Sequence, residues 1–308
     1  MASLLDPRIK LRHLLSFLEV TRQGGVARAG AELGMTQPAV SKAIAELEDI
    51  LGVPLFDRTR RALSLSPYGE MFLRFATAGL ATLRQGVDSI AEARSGTNLV
   101  AFGALPSAEA GVVPLALARF AASSLACRTQ VESGPSPYLL ELLRTAAIEF
   151  VVGRMANPEA MGGLSFEHLY SEELAFVVRP GHPLAEAEAP ELRSMAAFQA
   201  LMPPRRAIIR PAVDALLLAA GVGRFALEIE TVSNSLGRSY TLMSDAIWII
   251  SRGVVERDLA AGQLVRLPVD VSATLGPVGI TTRTGAELSL PAQAMIGAIR
   301  EAISGGRI

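Results

Sequence analysis

Hydrophobic positions follow three successive patterns along this 308-residue chain. Over the first fifty or so residues they recur every three or four places, the spacing of amphipathic helices. Arg8 to Arg22 predicts a helix with Leu11, Leu14, Leu15, Leu18 and Phe17 on its buried side. A second helix carries Ala29, Ala31 and Leu33 inward and ends at Gly34, where a residue without Cβ can turn the chain left-handed. A third begins at Thr36, whose hydroxyl can cap free N–H groups, with Pro38 in the first turn where its missing N–H does no harm. Val40, Ile44, Leu47 and Leu51 form its buried stripe. After Gly52-Val53-Pro54, Leu63 and Leu65 alternate with Ala62, Ser64 and Ser66, the period-two pattern of a small β wing.

The second pattern runs from Pro67 to about Arg94. Leu73, Ala76, Leu80, Leu83, Val87 and Ile90 step by three and four, the seam of a coiled coil. About 28 helical residues span on the order of 40 Å, more than one compact domain needs, so the seam predicts pairing with a second copy, with a core helix of the following domain as the alternative. Beyond Ser95-Gly96-Thr97-Asn98 short apolar runs alternate with helical segments. LVAFGAL, CRTQVES and IEFVVGR read as strands separated by helices, the signature of an open parallel sheet. A second such unit starts near Leu169 with ELAFVVR, AFQALMP, FALEIETV and AIWIISRG as strands. Its helices are Pro211 to Ala220 and Ser235 to Met243. Gln263 to Leu267 and GPVGITTR are expected to return the chain to the first lobe, closed by a helix from Pro291 to Ile303.

These elements place chemistry at definite positions. In a helix-turn-helix the N-terminal residues of the second helix enter the major groove, where Gln bonds a base edge and Ser, Thr or Lys holds base or phosphate. Thr36, Gln37, Pro38, Ser41 and Lys42 occupy that place here. Arg58, Arg60 and Arg61 at the wing tip suit flanking phosphates, Arg58 and Arg61 best, although a solvated turn has the same composition. The run TQPAVSKAIAELEDILGVPLFDR resembles the N-terminal domain of LysR-type transcriptional regulators. That resemblance implies an α/β chain with an α-rich winged helix-turn-helix and a two-lobed effector domain like that of periplasmic solute-binding proteins. The expected domains are 1–66 for DNA binding, 67–95 for the dimerising linker helix and 96–308 for effector binding. Lobe I takes about 96–168 and 268–308, and lobe II about 169–267. The implied partners are double-stranded DNA with an interrupted inverted repeat, RNA polymerase, a second copy in a homodimer and further copies in a homotetramer. One departure is Ala29-Gly30 where the family commonly has Ala-Ala; a Gly inside a helix costs roughly 1 kcal/mol relative to Ala.

Ligands of open α/β sheets bind at the carboxyl ends of strands, often against helix N-termini. Pro106 and Ser107, Ser133 and Ser136, and Ser233, Asn234 and Ser235 stand at such places, each equally suited to an ordinary helix cap. In MPPRRAIIRPAV, Arg205, Arg206 and Arg210 precede a helix; Arg205 and above all Arg210 are the candidates for holding carboxylates, and the alternative is a solvated loop. Further runs, among them RRAIIRP, IETVSNSLGRSYTLMSDAIWIISRGVV and GPVGITTRT, resemble a branch of the family that includes activators of protocatechuate-degradation genes and sugar-responsive regulators. The resemblance implies an activator of aromatic-acid catabolic genes answering a small anionic effector, β-carboxy-cis,cis-muconate, with sugar-uptake genes as the alternative. Thr145-Ala146-Ala147-Ile148-Glu149 departs from that branch, where a Gly and an Asp are usual.

Composition narrows the picture without naming it. Net charge is −1, so any contact with DNA rests on local placement of charge rather than on a global field. The only lysines, Lys10 and Lys42, both lie in the expected DNA-binding domain. A single cysteine, Cys127, leaves no intramolecular disulfide and no zinc-ligand spacing, so no metal and no cofactor is expected. Asp6, Arg8, Lys10 and Arg12 interrupt the N-terminal apolar runs, which argues against a signal peptide and for a cytoplasmic protein without a membrane span. That also disfavours a bare solute-binding protein. Nucleophile elbows, phosphate loops, HExxH and dinucleotide fingerprints are missing from the sequence, and His13, His168 and His182 are isolated, so no enzyme is expected.

Overall fold

The computed structural model describes residues 6–57, 63–95, 98–123, 125, 127–186 and 192–305. The chain divides into two compact units, one built on residues 1–89 and the other on most of 90–308. In the first, helices α1 (Leu11–Gln23), α2 (Val26–Leu33) and α3 (Gln37–Leu51) enclose Phe17, Val20, Ala29, Val40, Ile44 and Leu47. The Phe17 ring is the pivot, with its centroid 5.5 Å from Phe56 and 5.3 Å from Phe72. The buried face of α1 therefore runs through His13, Ser16, Phe17 and Val20 and not through the leucines. Leu11 is exposed, and Leu14, Leu15 and Leu18 are only partly covered, because the aromatic ring rather than the leucine count sets the rotation of the helix. Ala31 likewise faces out, since the short α2 buries only Ala29 and Gly30.

Gly30 is required by that arrangement. The Met35 N–H donates to the Gly30 carbonyl at 2.8 Å, and a Cβ on Gly30 would lie 2.8 Å from the Met35 oxygen. The departure from Ala-Ala therefore lets the turn into α3 close against α2. The wing is a two-stranded antiparallel ribbon of β1 (Phe56–Asp57) and β2 (Ser64–Leu65); its tip, with Arg58, Arg60 and Arg61, lies outside the described residues. Helix α4 (Pro67–Ser95) follows as 29 unbroken residues. Along its seam Ala76 is buried and Leu73 and Leu80 are partly covered, whereas Leu83, Val87 and Ile90 are 59%, 67% and 64% exposed.

The second unit holds two five-stranded sheets. In chain order it contains β3 (Asn98–Ala104), α5 (Pro106–Ala110), α6 (Val112–Ala121), β4 (Cys127–Ser133), α7 (Ser136–Arg144), β5 (Phe150–Arg154) and β6 (Leu164–Glu172). There follow β7 (Leu174–Val178), α8 (Leu192–Met195), β8 (Gln199–Met202), α9 (Arg210–Ala219), β9 (Leu227–Glu230) and α10 (Asn234–Met243). Last come β10 (Ile247–Ser251), α11 (Arg252–Ala260), β11 (Val265–Arg266), β12 (Gly276–Arg283) and α12 (Leu290–Ser304). Lobe I has the order β4-β3-β5-β12-β6 and lobe II the order β11-β7-β10-β8-β9.

Both sheets are mixed where the alternation of elements predicts parallel ones. Strand β3 runs parallel to β4 and β5, but β12 is antiparallel to β5 and β6; β8 runs parallel to β9 and β10, but β7 is antiparallel to β10 and β11. Strands that join after the chain has crossed between lobes enter from the opposite end. The first crossing falls between Glu172 and Leu174, past the expected Leu169, because Leu164–Glu172 pairs with β12 along its whole length. Gln263 to Leu267 stays in lobe II, since Val265 and Arg266 pair with β7. The lobe I core stacks the Phe102 and Phe150 rings at 4.9 Å between α6 and α12, while every residue of β7 and β10 is buried in lobe II.

At the departure between Thr145 and Glu149, Ala146 adopts φ 55°, the one left-handed non-glycine among the described residues. Three residues on, the Glu149 carboxylate accepts from the Ser289 N–H and hydroxyl at 2.8 Å each, fastening β5 to the start of α12. The segment serves the fold of lobe I.

Candidate nucleic-acid interface and effector cleft

Helix α3 begins as its sequence dictates. The Thr36 hydroxyl accepts from the Ala39 N–H at 3.4 Å, and Pro38 occupies the first turn. Burial of Val40, Ala43, Ile44 and Leu47 fixes the rotation, so Gln37, Ser41 and Lys42 are exposed together at the helix start, beside exposed Thr36 and Pro38. That is the face a major groove would meet. Behind it Glu46 gathers three cationic or protonatable groups. Arg12 lies 2.7 Å away, the His13 Nε2 3.0 Å and the Lys42 Nζ 3.9 Å. Arg12 and His13 of α1 lower the Glu46 pKa below the usual carboxylate range. His13 is thus part of a link between α1 and α3. His182 is also structural, accepting from the Leu184 N–H at Nδ1 while Nε2 meets the Asp245 carbonyl, and burial pushes its pKa down. His168 pairs with the Ser171 hydroxyl at 3.1 Å.

The cleft of the second unit is lined from lobe I by Pro106, Ser107, Ser136 and Arg154, and from lobe II by Ile208, Ile209, Ile250 and Ser251 among others. Its volume is about 70 Å³. Ser107 stands in the first turn of α5 and Ser136 at the start of α7, both buried. Arg154 closes β5 as a charged residue after four fully buried ones. Its Nη2 donates to the Thr274 carbonyl, while its Nη1 is buried without a hydrogen-bond partner among the described residues. Burial pushes the Arg154 pKa down, and nearby Glu172 partly offsets that. A guanidinium held this way, beside two hydroxyls, is suited to an anionic oxygen.

Other sequence-predicted residues take different places. Arg210 is buried, its guanidinium bonded to Asp214 at 2.7 Å, Glu230 at 3.0 Å and the Pro203 carbonyl at 2.9 Å. Burial works against its charge, and the two carboxylates more than compensate, raising the pKa. Its charge is committed to lobe II. Arg205, Arg206 and Ser133 are exposed and do not line the cleft. Ser233 caps α10, accepting from the Leu236 N–H at 3.3 Å, with the Ser235 hydroxyl 3.1 Å away. Asn234 spans the lobes, its Nδ2 donating to the Pro106 carbonyl at 3.3 Å.

Comparison with known proteins joins the two sites. Residues 11–70 match the model for bacterial regulatory helix-turn-helix proteins of the lysR family, and residues 93–304 match the LysR substrate binding domain. The chain belongs to the LysR family of transcriptional regulators. As a LysR-family member it is a DNA-binding regulator and not an enzyme. It is 46% identical over 301 residues to the HTH-type transcriptional regulator PcaQ of Agrobacterium fabrum, covering 97% of this chain and 96% of that one. It is 37% identical over 303 residues to the uncharacterized HTH-type regulator YdcI of Escherichia coli K12, covering 98% of each. Solved structures share the fold. Full-length LysG of Corynebacterium glutamicum with bound effector Arg gives a TM-score of 0.62 at 17% identity, over 96% of this chain and 99% of that one. CbnR complexed with its target DNA gives 0.57 at 20% identity, over 96% and 100%.

In this LysR-family chain, sequence reasoning missed Arg154. One signal for it was present. FVVGR ends a buried apolar strand with a charge at its carboxyl end, the position from which open α/β sheets address ligands.

Proposed function

We propose that the chain activates aromatic-acid catabolic genes of the protocatechuate type in response to a small carboxylate bound between the lobes. The observation that carries the effector class is that Arg154, whose Nη1 has no hydrogen-bond partner among the described residues, lines a cleft with Ser107 and Ser136. The extent and level of likeness to PcaQ support the choice of pathway. Gln37, Ser41 and Lys42 read the operator, Thr36 and Pro38 set the helix start, and Arg58 and Arg61 hold flanking phosphates. Pairing through the exposed α4 seam gives a homodimer whose two recognition helices require an interrupted inverted repeat. Two dimers form a tetramer that recruits RNA polymerase. Effector acts through its differential affinity for two lobe arrangements, and only through that.

Calorimetric titration of the full-length protein with β-carboxy-cis,cis-muconate, cis,cis-muconate, protocatechuate and a panel of sugars tests the reading. Saturable binding of the tricarboxylate, lost in Arg154→Ala, is expected. Binding confined to a sugar would transfer the regulator to sugar-uptake genes. For the DNA face, Gln37→Ala or Ser41→Ala should weaken operator binding by about 1–3 kcal/mol; unchanged affinity in a folded variant would remove the assignment.

A further inference from the structure

Two crossing segments join the lobes, the first between β6 and β7 and the return between β11 and β12, and one buried side chain is bonded across both. Thr274 stands in the return crossing just before β12 and is 2% exposed. Its hydroxyl donates to the Val271 carbonyl at 2.6 Å, closing its own turn. The same oxygen accepts from the Leu174 N–H of the first crossing at 3.0 Å. Leu174 is fully buried, where an amide needs such a partner.

The Thr274 carbonyl makes the remaining tie. It accepts from Nη2 of Arg154, the guanidinium that lines the effector cleft, although Thr274 itself does not line it. Gly276 leaves room for that bond, since a Cβ there would collide with the Arg154 guanidinium. Negative charge from nearby Glu172, at the end of β6, acts on the same guanidinium from the first crossing. A guanidinium is planar and rigid, so a carboxylate that draws in one nitrogen turns the others with it. Nη2 then moves against the Thr274 carbonyl, and Thr274 cannot follow alone because its hydroxyl holds Leu174.

We propose that Thr274 couples the effector cleft to the hinge, passing a displacement of Arg154 to both crossings at once and so biasing the lobe arrangement. This role rests on the reading of Arg154 as the effector's anchor. Thr274 is a positioning residue, and removing its hydroxyl should separate response from binding.

Calorimetry and a lobe-to-lobe distance, both on the full-length protein with β-carboxy-cis,cis-muconate, test this. Spin labels at Leu218→Cys in lobe II and Leu290→Cys in lobe I, positions 79% and 77% exposed, report the distance. The background is Cys127→Ser, diluted with unlabelled chains. With Thr274 intact, saturating effector should shift the distance. Thr274→Val keeps the shape and removes the hydroxyl; it should bind within about threefold and show no shift. Thr274→Ser restores the hydroxyl and should restore the shift, an outcome that general loosening of the fold would not give. If Thr274→Val does not fold, Gly276→Ala decides: it drives the guanidinium off the Thr274 carbonyl and should lose the shift while saturable binding persists. A full shift at saturation in the folded variant, a shift lost equally in Thr274→Ser, or binding without any shift when Thr274 is intact overturns the coupling role alone. No saturable binding to the parent protein overturns the reading of Arg154 and this role with it.

Discussion

Arg154 and Arg210 carry the same group and differ in what surrounds it. Arg210 sits at a helix start, the local feature that marks it in the sequence, yet Asp214 one turn along and Glu230 from β9 take its charge. No local reading shows Glu230 arriving from twenty residues away. Arg154 has no ion pair among the described residues, only the charge of nearby Glu172, and its Nη1 has no hydrogen-bond partner among them. The two substitutions should therefore separate cleanly. Arg154→Ala should abolish carboxylate binding with little change in unfolding free energy. Arg210→Ala should leave binding within a few-fold and lower stability by about 1–2 kcal/mol, read by urea denaturation. At Ala146 the backbone strain of a left-handed alanine is relieved by glycine, partly offset by the looser unfolded chain. Ala146→Gly should raise stability by about 0.5–1 kcal/mol, seen as a higher melting temperature.

Elements were legible where their determinants are local. Helix α3 was readable because Thr36, Pro38 and the Val40-Ile44-Leu47 stripe lie within one segment and agree with each other. The face of α1 was not, because Phe17 turns inward to meet Phe56 and Phe72, residues the helix itself does not contain. Strand β6 was missed for a related reason. Its residues Leu164–Glu172 are, apart from Glu172, half-exposed or exposed, giving no apolar run, and only pairing with β12 makes them a strand. Gly30 offers a test with a decisive sign. Helix propensity alone says that Gly30→Ala should stabilise α2 by roughly 1 kcal/mol. The contact with the Met35 oxygen says the opposite. The expected outcome is a lower melting temperature and weaker operator binding, because α3 can no longer seat against α2.

For the whole molecule, the two-unit plan and the two lobes followed from the change of hydrophobic period near Ser95, whereas the mixed sheets did not. The alternation of strand and helix is the same whether or not the chain changes lobe between strands. Helix α4 links the plan to assembly. Leu83, Val87 and Ile90 place three large apolar side chains in water on one seam, an arrangement that a second copy relieves. Val87→Glu with Ile90→Glu should convert the proposed dimer to a monomer in sedimentation velocity and lower operator affinity, since each half-site would then be bound alone.

The cleft carries a kinetic consequence. At about 70 Å³ it falls far below the roughly 300 Å³ at the lower end of ligand pockets. Asn234 further ties the two lips together through the Pro106 carbonyl. The proposed seven-carbon tricarboxylate would meet a shut door, and its capture would wait for the lobes to part. In stopped-flow mixing the observed rate should rise with effector and then level off at the rate of parting, and Asn234→Ala should lift that plateau. A rate that climbs linearly without limit would mean that the lobes already stand open in solution.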